Sequence, residues 1–298
     1  MKLPDSKIVM YTLAGASIVC AIILSALYGV DSSLRIPFVG HQPAAAADAV
    51  VVLPHALTAK AAIVYDPTTK KVLFAKNADM QLPLASLTKL MSAETVLSLS
   101  DPDSIVTITQ QDLKPEGDWG FKPGEEWRLR DLITFGLVAS SNDAMAAAAD
   151  AAPGDVIVAM NRRAQELGLT QTYFSNPTGL DVDLETAGAY GSAHDVAVLA
   201  GTFLSQHPAL FEASTGASIT ITSQGNTLTA TSTSLPLFSV SGLIGAKTGY
   251  TDLAGGNLVA AFDVGLNHPL IVAVLGSTRD GRFDDVKMLI AAAREVSQ

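Results

Sequence analysis

Cysteine is almost missing from the 298 residues, Cys20 being the single one. That excludes an internal disulfide framework, a cysteine-based zinc site and an iron–sulfur cluster. Histidine is scarce too: His41, His55, His194, His207 and His268 are the five, and no two lie at metal-ligand spacing. A metal site is therefore not expected, and no other cofactor is expected either. Charge is thin at 16% of residues, against roughly a quarter in an average soluble domain. What charge there is leans acidic, with 19 Lys and Arg against 29 Asp and Glu and a net charge of −10. A nucleic-acid partner is argued against, because displacing counterions from phosphate needs Lys and Arg.

Apolar residues make up 48% of the chain, and the excess sits at the N-terminus. From Ile8 to Val30 there are 23 residues without a charge, enough to cross a hydrocarbon core of about 30 Å as a helix. Lys2 and Lys7 precede the run and Asp31 follows. The positive-inside rule then leaves the first residues in the cytoplasm and exports the rest. A cleaved signal peptide is the plainer alternative, but its apolar region is normally only about 7–15 residues long and ends in a small-x-small site. The expectation is a single-pass anchor in the cell membrane over residues 1–30, a Pro-, Gly- and Ala-containing stalk over 31–60, and an extracytoplasmic domain over 61–298.

From Ala61 the pattern turns globular. AAIVYD and KVLFAK flank Pro67-Thr68-Thr69 and read as a hairpin. A helix begins near Ser86 with Leu87, Leu90, Met91 and Val96 toward one face, and another from Leu129 is broken around Ser140-Ser141-Asn142. VIVAMNRRAQELG closes on Gly168, and SAHDVAVLAGTFLSQ is a further helix. ASITIT and NTLTATST read as a second hairpin; LIGAKTG, NLVAAFDV and LIVAVLGS are strands; a helix from Arg282 to Val296 follows them. Hairpin, helices, strands, helix is the order of an α+β fold with a mostly antiparallel sheet. The first hairpin should meet the late strands, leaving the middle helices as an inserted subdomain.

Three short motifs carry the chemistry: Ser86-Leu87-Thr88-Lys89, Ser140-Ser141-Asn142 and Lys247-Thr248-Gly249. Each alone is common, and surface helix or strand-end readings explain each one singly. Context sharpens them. Ser86 follows Pro83-Leu84-Ala85 at a helix start, where backbone N–H groups favour developing negative charge. Lys89, three residues on, lies on the same face within reach of the Ser86 hydroxyl. Serine needs a base to attack, and a lysine serves once burial and a second cation depress its pKa. Lys247 is the candidate for that cation. No histidine stands in a context that suggests a Ser-His-Asp triad.

With these motifs the chain resembles the low-molecular-weight penicillin-binding proteins, the serine-type D-alanyl-D-alanine carboxypeptidases of peptidase family S11. The resemblance runs from about Ala61 to Ile290 through VLFAKNAD, PLASLTKLMSA, SSNDAM, AMNRRAQELGLTQTYFSNPTGLD, SGLIGAKTGYTDLAGGNLVAAF and VLGSTRDGRFDD. It implies a β-lactamase/transpeptidase-like fold, peptidoglycan stem peptides ending in D-Ala-D-Ala as substrate, and β-lactams as covalent inhibitors. It implies Ser86 as nucleophile, Lys89 as its base, Ser140 as proton relay to the leaving amine, and Asn142 as orienter of substrate amide and Lys89. Lys247 would sustain the field of the cleft, and Thr248, in the Lys247-Thr248-Gly249 strand, would meet the terminal carboxylate. The N–H groups of Ser86 and Tyr250 would form the oxyanion hole. Arg282, in a Gly-Arg pair, would help hold the substrate carboxylate, while Asn176, Pro177, Gly179, Leu180 and Asp181 belong to a loop read as structural. Ser141 departs from the pattern, since glycine is common there among relatives.

Three other readings compete. A D,D-endopeptidase of the same superfamily would cut cross-links with the same residues. A β-lactamase would need a deacylating glutamate, and Glu166 in ELGLT sits in a helix that fits the peptidase pattern instead. A membrane-tethered wall-binding scaffold would have lost part of the site, yet every motif residue is present.

Overall fold

The computed structural model describes residues 53, 55–117, 119–265 and 267–296. The expected membrane span over residues 8–30 and most of the expected stalk lie outside the described residues. Among those described, no helix is long and apolar enough to cross a membrane.

Ala61–Asp66 (β1) is buried at all of its positions, as a strand covered on both faces must be. It pairs antiparallel with Lys71–Lys76 (β2). The turn between them is the one expected at Pro67-Thr68-Thr69: the Asp66 carboxylate accepts from the Thr68 and Thr69 amides. Leu243–Thr251 (β3), Gly255–Asp263 (β4) and Pro269–Ser277 (β5) complete a five-stranded sheet in the order β3-β4-β5-β1-β2. Every neighbouring pair is antiparallel. The first hairpin therefore does meet the late strands, through Ala61 opposite Leu275 and Tyr65 opposite Ile271, and β3 is left at the sheet's edge.

Alternation sends side chains to two cores. Ala62, Val64, Leu258, Ala260, Val272 and Val274 meet Phe283, Val286, Leu289 and Ile290 of the helix Gly281–Val296. Ala61, Ile63, Val259, Ala261, Ala273 and Leu275 face the larger core built by the middle helices. In chain order these are Thr88–Leu99 (α1), Leu129–Val138 (α2), Asn142–Asp150 (α3), Val156–Glu166 (α4) and Ala193–Gln206 (α5), before the closing helix (α6). Asp155, Ser192 and Ser141 cap three of them by accepting from Val158, Asp195 and Ala144 amides. Ser218–Thr222 and Thr227–Thr231 form the second expected hairpin.

Two expectations need correction. The domain begins before residue 61: Leu57 and Ala59 are buried in the sheet–α6 core, and Asp285 of α6 accepts from the Thr58 and Ala59 amides. The last residues assigned to the stalk are thus part of the fold. And α1 has no solvent face over its first nine residues, since Thr88 to Val96 are all buried. Its one carboxylate is paired internally: Glu94 meets Arg163 of α4 at 2.7 Å and His207 at 3.1 Å. Hydrophobic periodicity cannot see a helix enclosed on every side.

Candidate active site

A single turn of 3₁₀ helix, Ala85–Leu87, leads directly into α1. Ala85 holds φ at +49° and Ser140 at +60°, the left-handed region that L-residues rarely adopt. Two of the five such non-glycine residues among those described thus lie beside or at the motif serines, where strain aims a side chain. Ser141 needs no glycine-like freedom, because its φ is −62° and its hydroxyl caps α3.

Lys89 is fully buried. Its Nζ donates to Ser86 Oγ at 2.8 Å, to Asn142 Oδ1 at 2.7 Å and to the Thr178 carbonyl at 2.8 Å. Lys247, on β3, donates to Ser140 Oγ at 2.7 Å and to the Thr248 carbonyl at 2.8 Å. All three motifs therefore converge as the sequence suggested. Burial brings the Lys89 pKa from its ordinary 10.5 down to about 7. Lys247 is held well below its ordinary value, by burial first and then by the charges of Lys89 and Arg282. Both lysines are thus depressed, Lys89 by burial and Lys247 by burial together with the neighbouring cations.

Thr248 Oγ1 donates to Thr233 Oγ1 at 2.8 Å. Gly249 lies against the nucleophile, where a Cβ would sit 3.1 Å from the Ser86 nitrogen and 2.9 Å from the Leu84 carbonyl oxygen. Tyr250 is 41% exposed and lines a cavity of about 630 Å³ with Trp119, Ser140, Asn142, Asp181 and Asp252. Arg282 is not presented to that cavity as a free cation. It is 9% exposed, donates through Nη1 to the Gly249 carbonyl at 2.6 Å, and leaves Nε buried without a partner. Burial also lowers its pKa to about 10.

Sequence reasoning missed the backbone contributors. The Asn176 side chain accepts from the Thr178 and Gly179 amides and donates to the Leu180 carbonyl, shaping the turn that delivers the Thr178 carbonyl to Lys89. Gly179 fits only without a Cβ, which would stand 1.9 Å from the Ala85 carbonyl oxygen. Asn142 is held from the other side by donating through Nδ2 to the Glu116 carbonyl. The string read as a structural loop shapes a turn, and it also reaches Lys89. Glu166 lines a different cavity with Tyr65, Lys70 and Thr202 and pairs with Arg163. Among the described residues, no group of three His, Cys, Asp or Glu could hold a metal ion.

A buried lysine on a serine at the start of a helix, faced by a Ser-x-Asn turn and an edge-strand Lys-Thr-Gly, defines the serine–lysine class of acyl-transfer folds. Residues 47–279 match the family Peptidase S11, D-alanyl-D-alanine carboxypeptidase, and the chain belongs to that family. It is 31% identical over 229 residues to the D-alanyl-D-alanine carboxypeptidase DacF of Bacillus subtilis, covering 74% of this chain and 58% of that protein. It is 32% identical over 268 residues to DacD of Salmonella typhimurium, covering 83% of this chain and 66% of that protein. The match thus spans less than two thirds of either curated relative. Penicillin-binding protein D2 of Listeria monocytogenes, solved in its ampicillin-bound form, superimposes with a TM-score of 0.70 at 32% identity, over 79% of this chain and 97% of that one.

Proposed function

We propose that this chain is a serine peptidase that removes the terminal D-alanine from peptidoglycan stem peptides and is acylated by β-lactams on the same serine. The observation that carries the reading is Lys89 Nζ at 2.8 Å from Ser86 Oγ, in full burial. Two of its three partners, Asn142 Oδ1 and the Thr178 carbonyl, can only accept. A neutral amine has two hydrogens and one lone pair. Given to those two oxygens, the hydrogens leave the lone pair facing the Ser86 hydroxyl, the geometry of a general base.

Ser86 Oγ then attacks the carbonyl between the last two D-alanines while its proton passes to Lys89. The oxyanion that forms is met by the amides of Ser86 and Tyr250. Ser140, whose oxygen accepts from Lys247, gives its own hydrogen to the departing amine and takes one from Lys247 in its place. The proton held on Lys89 then replaces the one Lys247 gave, leaving Lys89 neutral for the next step. Thr248 and Lys247 provide hydroxyl and charge for the substrate's terminal carboxylate, and Asn142 holds the substrate amide. Water repeats the attack on the Ser86 ester. With a β-lactam the opened ring stays attached and impedes that water. The same proposal tethers the domain outside the cell membrane through residues 8–30, supported by their uncharged run behind Lys2 and Lys7.

Mass spectrometry after brief exposure to penicillin should find one adduct, on the peptide containing Ser86, that persists while D-alanine release from defined muropeptides stays blocked. Ser86→Ala should lose adduct and release together. Labelling in that variant, or rapid loss of the adduct with excess hydrolysed drug, would overturn the reading. Cleavage of cross-linked dimers in preference to pentapeptide stems would make the chain an endopeptidase instead.

A further inference from the structure

Arg282 was expected at the substrate carboxylate, yet its guanidinium is committed elsewhere. Nη1 lies 2.6 Å from the Gly249 carbonyl oxygen in a buried contact. The ring of Phe283 stands 4.9 Å from its central carbon. The carbonyl of Gly249 and the N–H of Tyr250 belong to one planar peptide group, in which the oxygen and the hydrogen point in opposite directions. Fixing the oxygen therefore fixes the hydrogen. Because β3 is the edge of the sheet, one side of that group faces the domain and the other faces the cleft that Tyr250 lines.

We propose that Arg282 is a positioning residue for the oxyanion hole. It clamps and polarises the Gly249–Tyr250 peptide so that the Tyr250 N–H is aimed and strengthened as a donor. The inference rests on the peptidase reading above and assigns to Arg282 a role other than binding the carboxylate. A charged donor on an amide oxygen draws electron density from nitrogen, and in a dry site such bonds reinforce one another along the chain. The arrangement costs no reorganisation during reaction, which is what makes an oxyanion hole effective.

Position and polarity are separable from carboxylate binding. Two peptide esters would be compared, one with a free terminal carboxylate and one with that carboxylate amidated. In Arg282→Met, kcat should fall roughly 10–100-fold on both, with KM little changed, since removing one direct oxyanion donor costs about 100–1000-fold. Arg282→Lys, which keeps a buried cation able to reach the carbonyl, should recover most of that loss. Infrared difference spectra of the penicillin-derived ester on Ser86 give the second reading. A strong donor lowers the ester carbonyl stretch, so it should rise in Arg282→Met and return toward wild type in Arg282→Lys. A loss confined to the free carboxylate and seen in KM would overturn the proposal, as would an unchanged stretch in a folded Arg282→Met. Should Arg282→Met not fold, a wild-type stretch and rate in Arg282→Ala or Arg282→Leu would overturn it equally. A wild type that forms no ester at all would instead remove the peptidase reading, and this inference with it.

Discussion

Gly249 and Ser86 touch across the cleft: a Cβ on Gly249 would stand 3.1 Å from the Ser86 amide nitrogen. The edge strand and the turn that carries Ser86 are thus packed against each other, with no room for a methyl group between them.

Gly249→Ala should therefore push β3 away from Ser86 while leaving the sheet paired through β4. The expected outcome is a fall of about 100-fold in the rate of Ser86 acylation, the scale of losing one oxyanion donor, with thermal unfolding shifted by only a few degrees. Stopped-flow acylation by a chromogenic β-lactam measures it. Acylation within threefold of wild type would show that the strand yields.

The pH dependence follows from Lys89, whose pKa is about 7 in the folded chain against an ordinary 10.5. The base must be neutral, so kcat/KM should rise tenfold per unit below about pH 7 and level above it. Stability carries the same signature. Between about 7 and 10.5 the unfolded chain binds a proton at Lys89 that the folded chain does not, so folding stability gains as pH rises through that window. Below it both states are protonated and the contribution is flat. Urea titrations of wild type and Lys89→Met should differ in slope only within the window; parallel curves would contradict the assignment.

Glu94 tests the enclosure of α1. Its side chain is 2% exposed and shared by Arg163 and His207. Removing Arg163 leaves a buried carboxylate with one partner fewer, so Arg163→Met should cost roughly 3 kcal/mol in equilibrium unfolding. Glu94→Leu combined with Arg163→Met should recover part of that, because the uncompensated charge is gone. Additive losses would mean that the pair acts by packing alone.

The order of elements and the three motifs were legible because they depend on residue type: a serine three positions before a lysine, an apolar run between turn residues. Thr178 was not legible as a partner of Lys89, since the contact is made by its carbonyl, which any residue carries. The left-handed Ser140 was equally silent, because nothing about serine announces that conformation. The contact of Arg282 with the Gly249 carbonyl was not legible either: a Gly-Arg pair tells where a guanidinium starts, not which oxygen it reaches. That the fold reaches back before residue 61 was hidden too, because Thr58 and Ala59 are anchored through their backbone amides by Asp285, 227 and 226 positions away.

The pairing of Ala61 with Leu275 has a consequence for the time course of folding. Strand β1 has no partner on one side until β5, much later in the chain, arrives. Contacts so distant in sequence are slow to form and leave apolar edges open meanwhile. Lys247 and Arg282, too, lie far along the chain from Ser86 and Lys89. A nascent molecule that has passed Lys89 but not yet reached Lys247 holds the serine and its lysine with no opposing strand. The two halves of the site are therefore joined only when the late strands close against β1.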